Sequence, residues 1–318
     1  MRKLFVIVAA AGMLLTACAS DNPTVAGSSG STGATSGQTG TTGTSGATGA
    51  TATESPADCA AAAASSLTSP GVLTVGTGNP AFPPWWEGGT SKGSEFELND
   101  PSKGQGYEGA VVAEVATRLG FTFPDQVTFV ATAFNQSFAP GPKPFDFVLQ
   151  QISYTPKRDQ AVDFSESYYD VNQALVSVEG SSIAGATTIA ELKDAKLGAP
   201  IGTTSLDTIT NVIQPNQEPN VYDDLATAVQ DLKAGVIDGV VVDLPTAFYI
   251  TAVQIPHGVV VGQFPTAGSQ EYFAMAFATG SPLVHCVNLA LEEMKADGTL
   301  DAIHQQWLAE NTNAPVLT

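Results

Sequence analysis

Positive charge is scarce in this chain: 12 lysines and arginines stand against 31 aspartates and glutamates, a formal net charge of −19 over 318 residues. A field of that sign repels phosphate backbones and anionic lipid surfaces, which excludes nucleic-acid binding. It says little about a small ligand, because a buried pocket answers to a few local groups. Histidine is equally sparse, and His257, His285 and His304 stand in no metal-ligand spacing with cysteine or acid, so no metal site is expected. No Gly-x-Ser-x-Gly elbow, phosphate loop or dinucleotide fingerprint occurs. No cofactor is expected, and catalysis has no positive sign. Long apolar runs are missing too: the longest, Leu4 to Leu15, is too short to span a bilayer as a helix.

That run follows the cationic Met1-Arg2-Lys3 and reads as a signal peptide. It ends in Leu15-Thr16-Ala17-Cys18, which resembles the lipobox of bacterial lipoproteins; the resemblance implies cleavage before Cys18 and lipidation of its thiol. Ordinary signal cleavage near Ala17-Cys18-Ala19 is the alternative. From Asp21 to Thr53 the chain is nearly all Gly, Ser, Thr and Ala, and it has too little apolar bulk to bury a core. A flexible linker of this kind spans roughly 30–35 Å, the reach of a tether between lipid and domain. Beyond Cys18, Cys59 and Cys286 remain, in a chain that matures outside the cytosol, where thiols pair. A disulfide between them is expected, with two separate buried thiols as the alternative.

The folded part begins near Ala57. Val72 to Thr77 reads as a strand closed by Gly78-Asn79-Pro80, and Glu108 to Leu119 as a helix with Val111, Val115 and Leu119 on one stripe and Gly120 ending it. Strands are predicted at 127–130 and 145–149, then at 196–201 and 236–242, with a helix at about 224–234 between the last two. Leu283, Val287, Leu291 and Met294 line one face of a helix that Asp297-Gly298 stops, and Thr299 is placed to cap the next, through Trp307. Strands alternating with helices argue for α/β layers. Asp243 ends the strand 236–242, where open α/β sheets bind ligands.

Six stretches, in order, resemble the family 3 extracellular solute-binding proteins, the amino-acid receptors of ABC importers. They are Gly76-Thr77 through Phe82-Pro83-Pro84-Trp85; Phe145-Asp146-Phe147 through Ser153-Tyr154-Thr155-Pro156-Lys157-Arg158; Val162-Asp163-Phe164-Ser165; and Leu192-Lys193 through Gly202-Thr203-Thr204-Ser205. Asp238 to Asp243 and Leu291 through Ala296-Asp297-Gly298-Thr299-Leu300 complete them, and the coverage runs from about Leu73 to Leu308. The resemblance implies an α/β fold of two lobes joined by two hinge crossings, closing on ligand like a clam. Expected boundaries are a signal peptide and lipobox at 1–18, a tether at 19–56, lobe 1 at 57–172 and 272–318, and lobe 2 at 173–271. A bond from Cys59 to Cys286 fits, since both ends fall on lobe 1. The implied protein is an extracytoplasmic, lipid-anchored monomer that meets the membrane only through its anchor and has an amino acid and an importer permease as partners.

A free amino acid brings a carboxylate and an ammonium that each need a fixed partner when the cleft dries. Arg158 offers a guanidinium fork for the carboxylate, and Ser153 adds a hydroxyl; both match the family's carboxylate pair. A surface ion pair with Asp159 or Asp163 is the alternative use of Arg158. Thr203 and Thr204 follow a glycine at an expected helix start, where N–H groups favour an anion; by themselves they are as well explained as N-caps. Asp243 matches the family's ammonium partner, although Pro245 also suits it to an N-cap. Phe82 matches an aromatic wall and Phe134 a second apolar contact, while Trp85 and Trp86 extend the wall or pack the lobe. Gln151 stands where the family has Gly or Ser. The ligand is expected to be neutral or polar, because no acid follows the first strand at Gly78-Asn79 to meet a basic side chain. Two rivals share the fold, a ligand-sensing or interaction lipoprotein and a cyclohexadienyl-dehydratase-like enzyme. The sensing domain of a receptor kinase, which also shares it, would need a membrane-spanning helix after the domain, and the sequence stops at Thr318. The dehydratase needs a positioned general acid, for which Glu87 and Glu108 are the unassigned carboxylates.

Overall fold

The computed structural model describes residues 54–266, 268–308 and 314–318. The signal peptide, Cys18 and the tether lie outside them, apart from the last three tether positions.

Two five-stranded sheets organise the chain. In the first the order is β2-β1-β3-β10-β4, with β1 (Leu73–Thr77), β2 (Val127–Ala131) and β3 (Phe147–Val148) parallel, and β10 (Tyr272–Phe277) antiparallel to β3 and to β4 (Asp163–Asp170). In the second the order is β7-β6-β8-β5-β9. Here β6 (Leu197–Pro200), β7 (Asn220–Tyr222) and β8 (Gly239–Asp243) are parallel, and β5 (Gln173–Val178) is antiparallel to β8 and to β9 (Gly258–Gln263). Every residue of β1 is buried, as suits a parallel strand covered on both faces. Gly76 in that strand has no room for a side chain, since a Cβ would stand 2.8 Å from the Phe145 ring.

The helices are α1 (Pro56–Ala62), α2 (Tyr107–Arg118), α3 (Phe134–Ser137), α4 (Thr204–Thr208), α5 (Leu225–Lys233), α6 (Leu244–Tyr249), α7 (Leu283–Ala296) and α8 (Thr299–Trp307). The predicted α7 stripe of Leu283, Val287, Leu291 and Met294 is buried to the last side chain. At about 1.5–3 kcal/mol per large apolar side chain, these four contribute roughly 6–12 kcal/mol against chain entropy. Cys286 lies on the same face and is joined to Cys59 of α1, with the Cα atoms 5.3 Å apart. The disulfide pins the segment before β1 to α7.

Some boundaries differ from expectation. Thr299 does not cap α8: the cap position is Gly298 at φ +80°, and it is the Asp297 carboxylate that accepts from the Thr299 N–H. Strand 236–242 begins only at Gly239, because Val236 closes a turn onto the Asp231 carbonyl and lies half exposed. Strand 145–149 shrinks to two residues.

The chain crosses between the sheets twice, from β4 to β5 through Val171-Asn172 and from β9 to β10. Residues 314–318, expected with the first lobe, lie on the second. Gln263 of β9 donates its backbone N–H to Pro315 O and accepts from Leu317 N, Thr318 exchanges bonds with Thr187 and Ile189, and Leu317 is buried among the residues of that lobe's core. The physical reason is an open edge: β9 is the last strand of its sheet, with unpaired backbone groups that the tail covers.

Candidate functional site

A cavity of about 520 Å³ separates the C-terminal ends of β1, β2 and β3 from those of β6, β7 and β8. Its walls on the first lobe come from the loops after the parallel strands. Phe82, Trp86 and Phe134 give aromatic surface, and Asn79, Thr132, Asn135 and Gln150 give uncharged polar groups. The second lobe contributes Thr203, Thr204, Ser205, Asp223, Asp224 and Asp243. Among the described residues, none that lines the cavity is cationic.

Of the residues expected from sequence, Phe82, Phe134, Gln151, Ser153, Thr203, Thr204 and Asp243 line this cavity, and Arg158 does not. Arg158 stands behind Ser153, where Nη1 donates to Ser153 O at 2.6 Å and Nη2 crosses to Gly202 O of the second lobe at 2.8 Å. Its guanidinium packs on Phe138 and Phe134, 4.4 Å and 5.4 Å from the ring centroids. Burial lowers its pKa to about 10, with Asp207 and Glu271 working in the opposite direction, so it stays charged at neutral pH. A surface pair with Asp159 or Asp163 is not what it makes. Trp85 and Trp86 divide the two alternatives between them. Trp86 reaches the cavity, whereas Trp85 packs edge-on against Tyr107, Tyr169 and Phe273 and donates its indole N–H across to Thr246 Oγ1 at 3.0 Å.

Thr203 spends its hydroxyl as an N-cap: Oγ1 donates to Pro200 O and accepts from Leu206 N. Asp243 is also a cap, accepting from Thr246 N through Oδ1 at 3.0 Å, and its second oxygen leaves acceptor capacity. Burial raises its pKa to about 6, partly offset by the bonds from Thr246.

Three further groups complete the site: Glu108, left by the sequence as an unassigned carboxylate, and Glu271 and Gln173, to which it gave no role. Glu108 on α2 has no exposed surface, and its two oxygens accept from Gln151 N at 2.7 Å, from Gln151 Nε2 and from Tyr168 Oη at 2.6 Å. Burial lifts its pKa to about 7 against those three bonds, which favour the charge, and Asp243 adds to the rise. The anchor explains how Gln151 holds a backbone φ of +50°, a region that costs a non-glycine residue. A signal did exist: Glu108 shares the buried stripe of Val111, Val112 and Val115 at helical spacing, and a charge on an apolar stripe needs partners. Glu271, between β9 and β10, accepts from Ser153 Oγ at 2.6 Å and from Gln173 Nε2 at 3.1 Å. Gln173 opens β5 and lines the cavity floor. Nothing in the sequence around these two marks them.

Residues 88–310 match the family described as bacterial extracellular solute-binding proteins, family 3. The L-cystine-binding protein of Bacillus subtilis is 30% identical over 257 residues, covering 78% of this chain and 85% of that one. An ABC transporter arginine-binding protein of Escherichia coli is 30% identical over 192 residues, 58% of this chain and 75% of its own. Among solved structures, an ancestral arginine-binding protein bound to arginine superposes with a TM-score of 0.59 at 29% identity, over 74% of this chain and 98% of that one.

Proposed function

This chain belongs to the bacterial extracellular solute-binding proteins of family 3, and we propose that it captures a net-neutral, polar amino acid between its lobes for an ABC importer. The observation that carries this reading is the division of the cavity. Acceptors converge where the ammonium would sit, at Asp243 and Ser153, while the side-chain region of the first lobe is polar and uncharged, at Asn79, Thr132, Asn135 and Gln150. A basic side chain would find no acid on that wall. L-cystine, net neutral with a long polar side chain, heads the candidates, in keeping with the ligand named for the Bacillus subtilis relative. Asp223 and Asp224 at the rim of the second lobe would face its distal ammonium. The same two acids favour one second reading, arginine, whose guanidinium would take that place.

The α-carboxylate is assigned to Arg158 and to the backbone N–H of Thr204, the first residue of α4. Arg158 reaches it by releasing Ser153 O or Gly202 O. A binding protein is favoured over a dehydratase because Glu108, the buried acid that such chemistry would recruit, is tied to three donors and does not line the cavity. The test is a thermal-shift screen of the purified full-length chain against the twenty amino acids and L-cystine, since a tight ligand raises the melting point by mass action. Shifts with cystine, glutamine or asparagine support the reading. Shifts only with arginine or lysine move it to the second, and shifts only with sugars or peptides refute both.

The lobes are proposed at 57–172 with 272–308, and at 173–271 with the docked tail. Anchoring through lipidated Cys18 is proposed from the sequence alone. Replacing Cys18 with Ala should release the protein to the medium, and a variant that stays with the membrane would remove the anchor from the reading.

A further inference from the structure

The floor of the cleft is a chain of hydrogen bonds that runs from one lobe to the other, and every direction in it follows from a single group. Glu271 is a carboxylate, which can only accept. Ser153 Oγ, 2.6 Å from Glu271 Oε1, therefore gives its one proton to Glu271. Gln173 must turn its NH2 toward the same oxygen, 3.1 Å away, so its carbonyl oxygen faces Ser205, whose hydroxyl donates to it at 2.7 Å. The second amide hydrogen of Gln173 points to Thr204 Oγ1 at 3.3 Å. Thr204 and Ser153 hydroxyls stand 3.3 Å apart, and since the Ser153 proton is committed, Thr204 donates in that pair.

The outcome is a floor whose side chains show lone pairs to the cavity. Ser153 keeps one unshared acceptor site after donating to Glu271 and accepting from Thr204. Ser205 and both amide hydrogens of Gln173 are spent inside the network. Sequence placed Ser153 with the ligand's carboxylate; in this geometry its hydroxyl has no proton to offer one. It suits an ammonium, beside Asp243.

We propose that Glu271 is the residue that sets the ligand polarity of this cleft, making Ser153 part of the ammonium subsite by taking its proton. Glu271 does not line the cavity and acts through Ser153 and Gln173, so it is a positioning residue. The inference deepens the amino-acid reading and rests on it. It adds a specificity: the cleft tolerates loss of the ligand's carboxylate better than loss of its ammonium.

Three probes test this in titration calorimetry on the full chain: L-cystine, its decarboxylated analogue cystamine, and its deaminated analogue 3,3′-dithiodipropionate. The wild-type protein should rank them in that order. Glu271→Ala frees the Ser153 proton and removes a negative charge, so cystamine should weaken and dithiodipropionate tighten, each by about tenfold, the equivalent of one hydrogen bond exchanged. Glu271→Gln keeps an oxygen that accepts from Ser153 and should preserve the wild-type ranking. A purely structural role for Glu271 would weaken all three probes together in both variants. That parallel loss overturns the inference while leaving the amino-acid reading intact, as does wild-type protein that binds dithiodipropionate as well as cystamine. Wild-type protein that binds none of the three overturns the inference and its cystine-like premise together.

Discussion

Replacing Glu108 with glutamine should change the pH dependence of stability more than stability itself at any one pH. Burial raises the folded-state pKa of Glu108 from 4.5 to about 7. Between those values the folded chain holds a proton that the unfolded chain has released, so stability falls as pH rises through that window and levels off above it. The rise corresponds to about 3 kcal/mol, at 1.36 kcal/mol for each factor of ten in proton affinity. Glutamine has no proton to lose. Its amide can take the same place if the Gln151 side chain turns over, so that one amide oxygen accepts from the other's NH2. Urea unfolding of the wild-type and Glu108→Gln chains at pH 5, 6, 7 and 8 measures the effect, and subtracting the two curves cancels every other titrating group. The wild-type chain should lose about 2–3 kcal/mol relative to the variant across that range. Tyr168→Phe, which removes one donor to the carboxylate, should move the window to higher pH. Curves that run parallel from pH 5 to 8 would refute the reasoning, because they would mean that the three donors hold Glu108 ionised in spite of its burial.

Other expectations are briefer. Asp243→Asn should cost at least about 2–3 kcal/mol of amino-acid affinity, the cost of truncating one side of a buried charge pair. Wild-type affinity should fall as pH drops below about 6, where Asp243 regains its proton; calorimetry on both proteins at pH 5.5 and 7.5 checks this, and unchanged affinity in either comparison removes Asp243 from the ammonium subsite. Cys59→Ser with Cys286→Ser should lower unfolding stability by about 2–5 kcal/mol, read from denaturant midpoints, as for removal of a native disulfide from a small secreted domain. A Cβ on Gly262 would stand 2.8 Å from Pro315 O and 2.9 Å from Leu317 Cγ. Gly262→Ala should therefore loosen the C-terminal tail, seen as faster amide exchange at Leu317 and Thr318, and exchange like that of the wild type would show that the tail bonds are not tight.

The sheets were legible because burial writes itself into residue type. β8 sits between two covering layers, so Val240 to Val242 reads as an unbroken apolar run, and β1, Leu-Thr-Val-Gly-Thr, is readable from its β-branched residues. The stripe of α7 was visible at helical spacing for the same reason. What escaped were edges and ends. The tail at 314–318 carries Ala314, Val316 and Leu317 as small or isolated apolar residues, too few for a pattern, and it is held by the backbone groups of β9. Backbone bonds leave no trace in composition.

The resemblance to the family put Phe82, Ser153, Thr204 and Asp243 at one cleft, and for Asp243 the end of a parallel strand pointed the same way; the four line one cavity, but their polarity could not be read. Whether Ser153 donates to a ligand or accepts from it depends on Glu271, 118 residues away in sequence. A hydroxyl has both capacities, and residue type cannot say which one its neighbours have used. Arg158 shows the same limit in a cation: the sequence promises a guanidinium fork, and the fold spends two of its N–H groups on the carbonyls of Ser153 and Gly202. A motif therefore fixes which groups stand at a site, and the network around them fixes which end of a zwitterion each one meets.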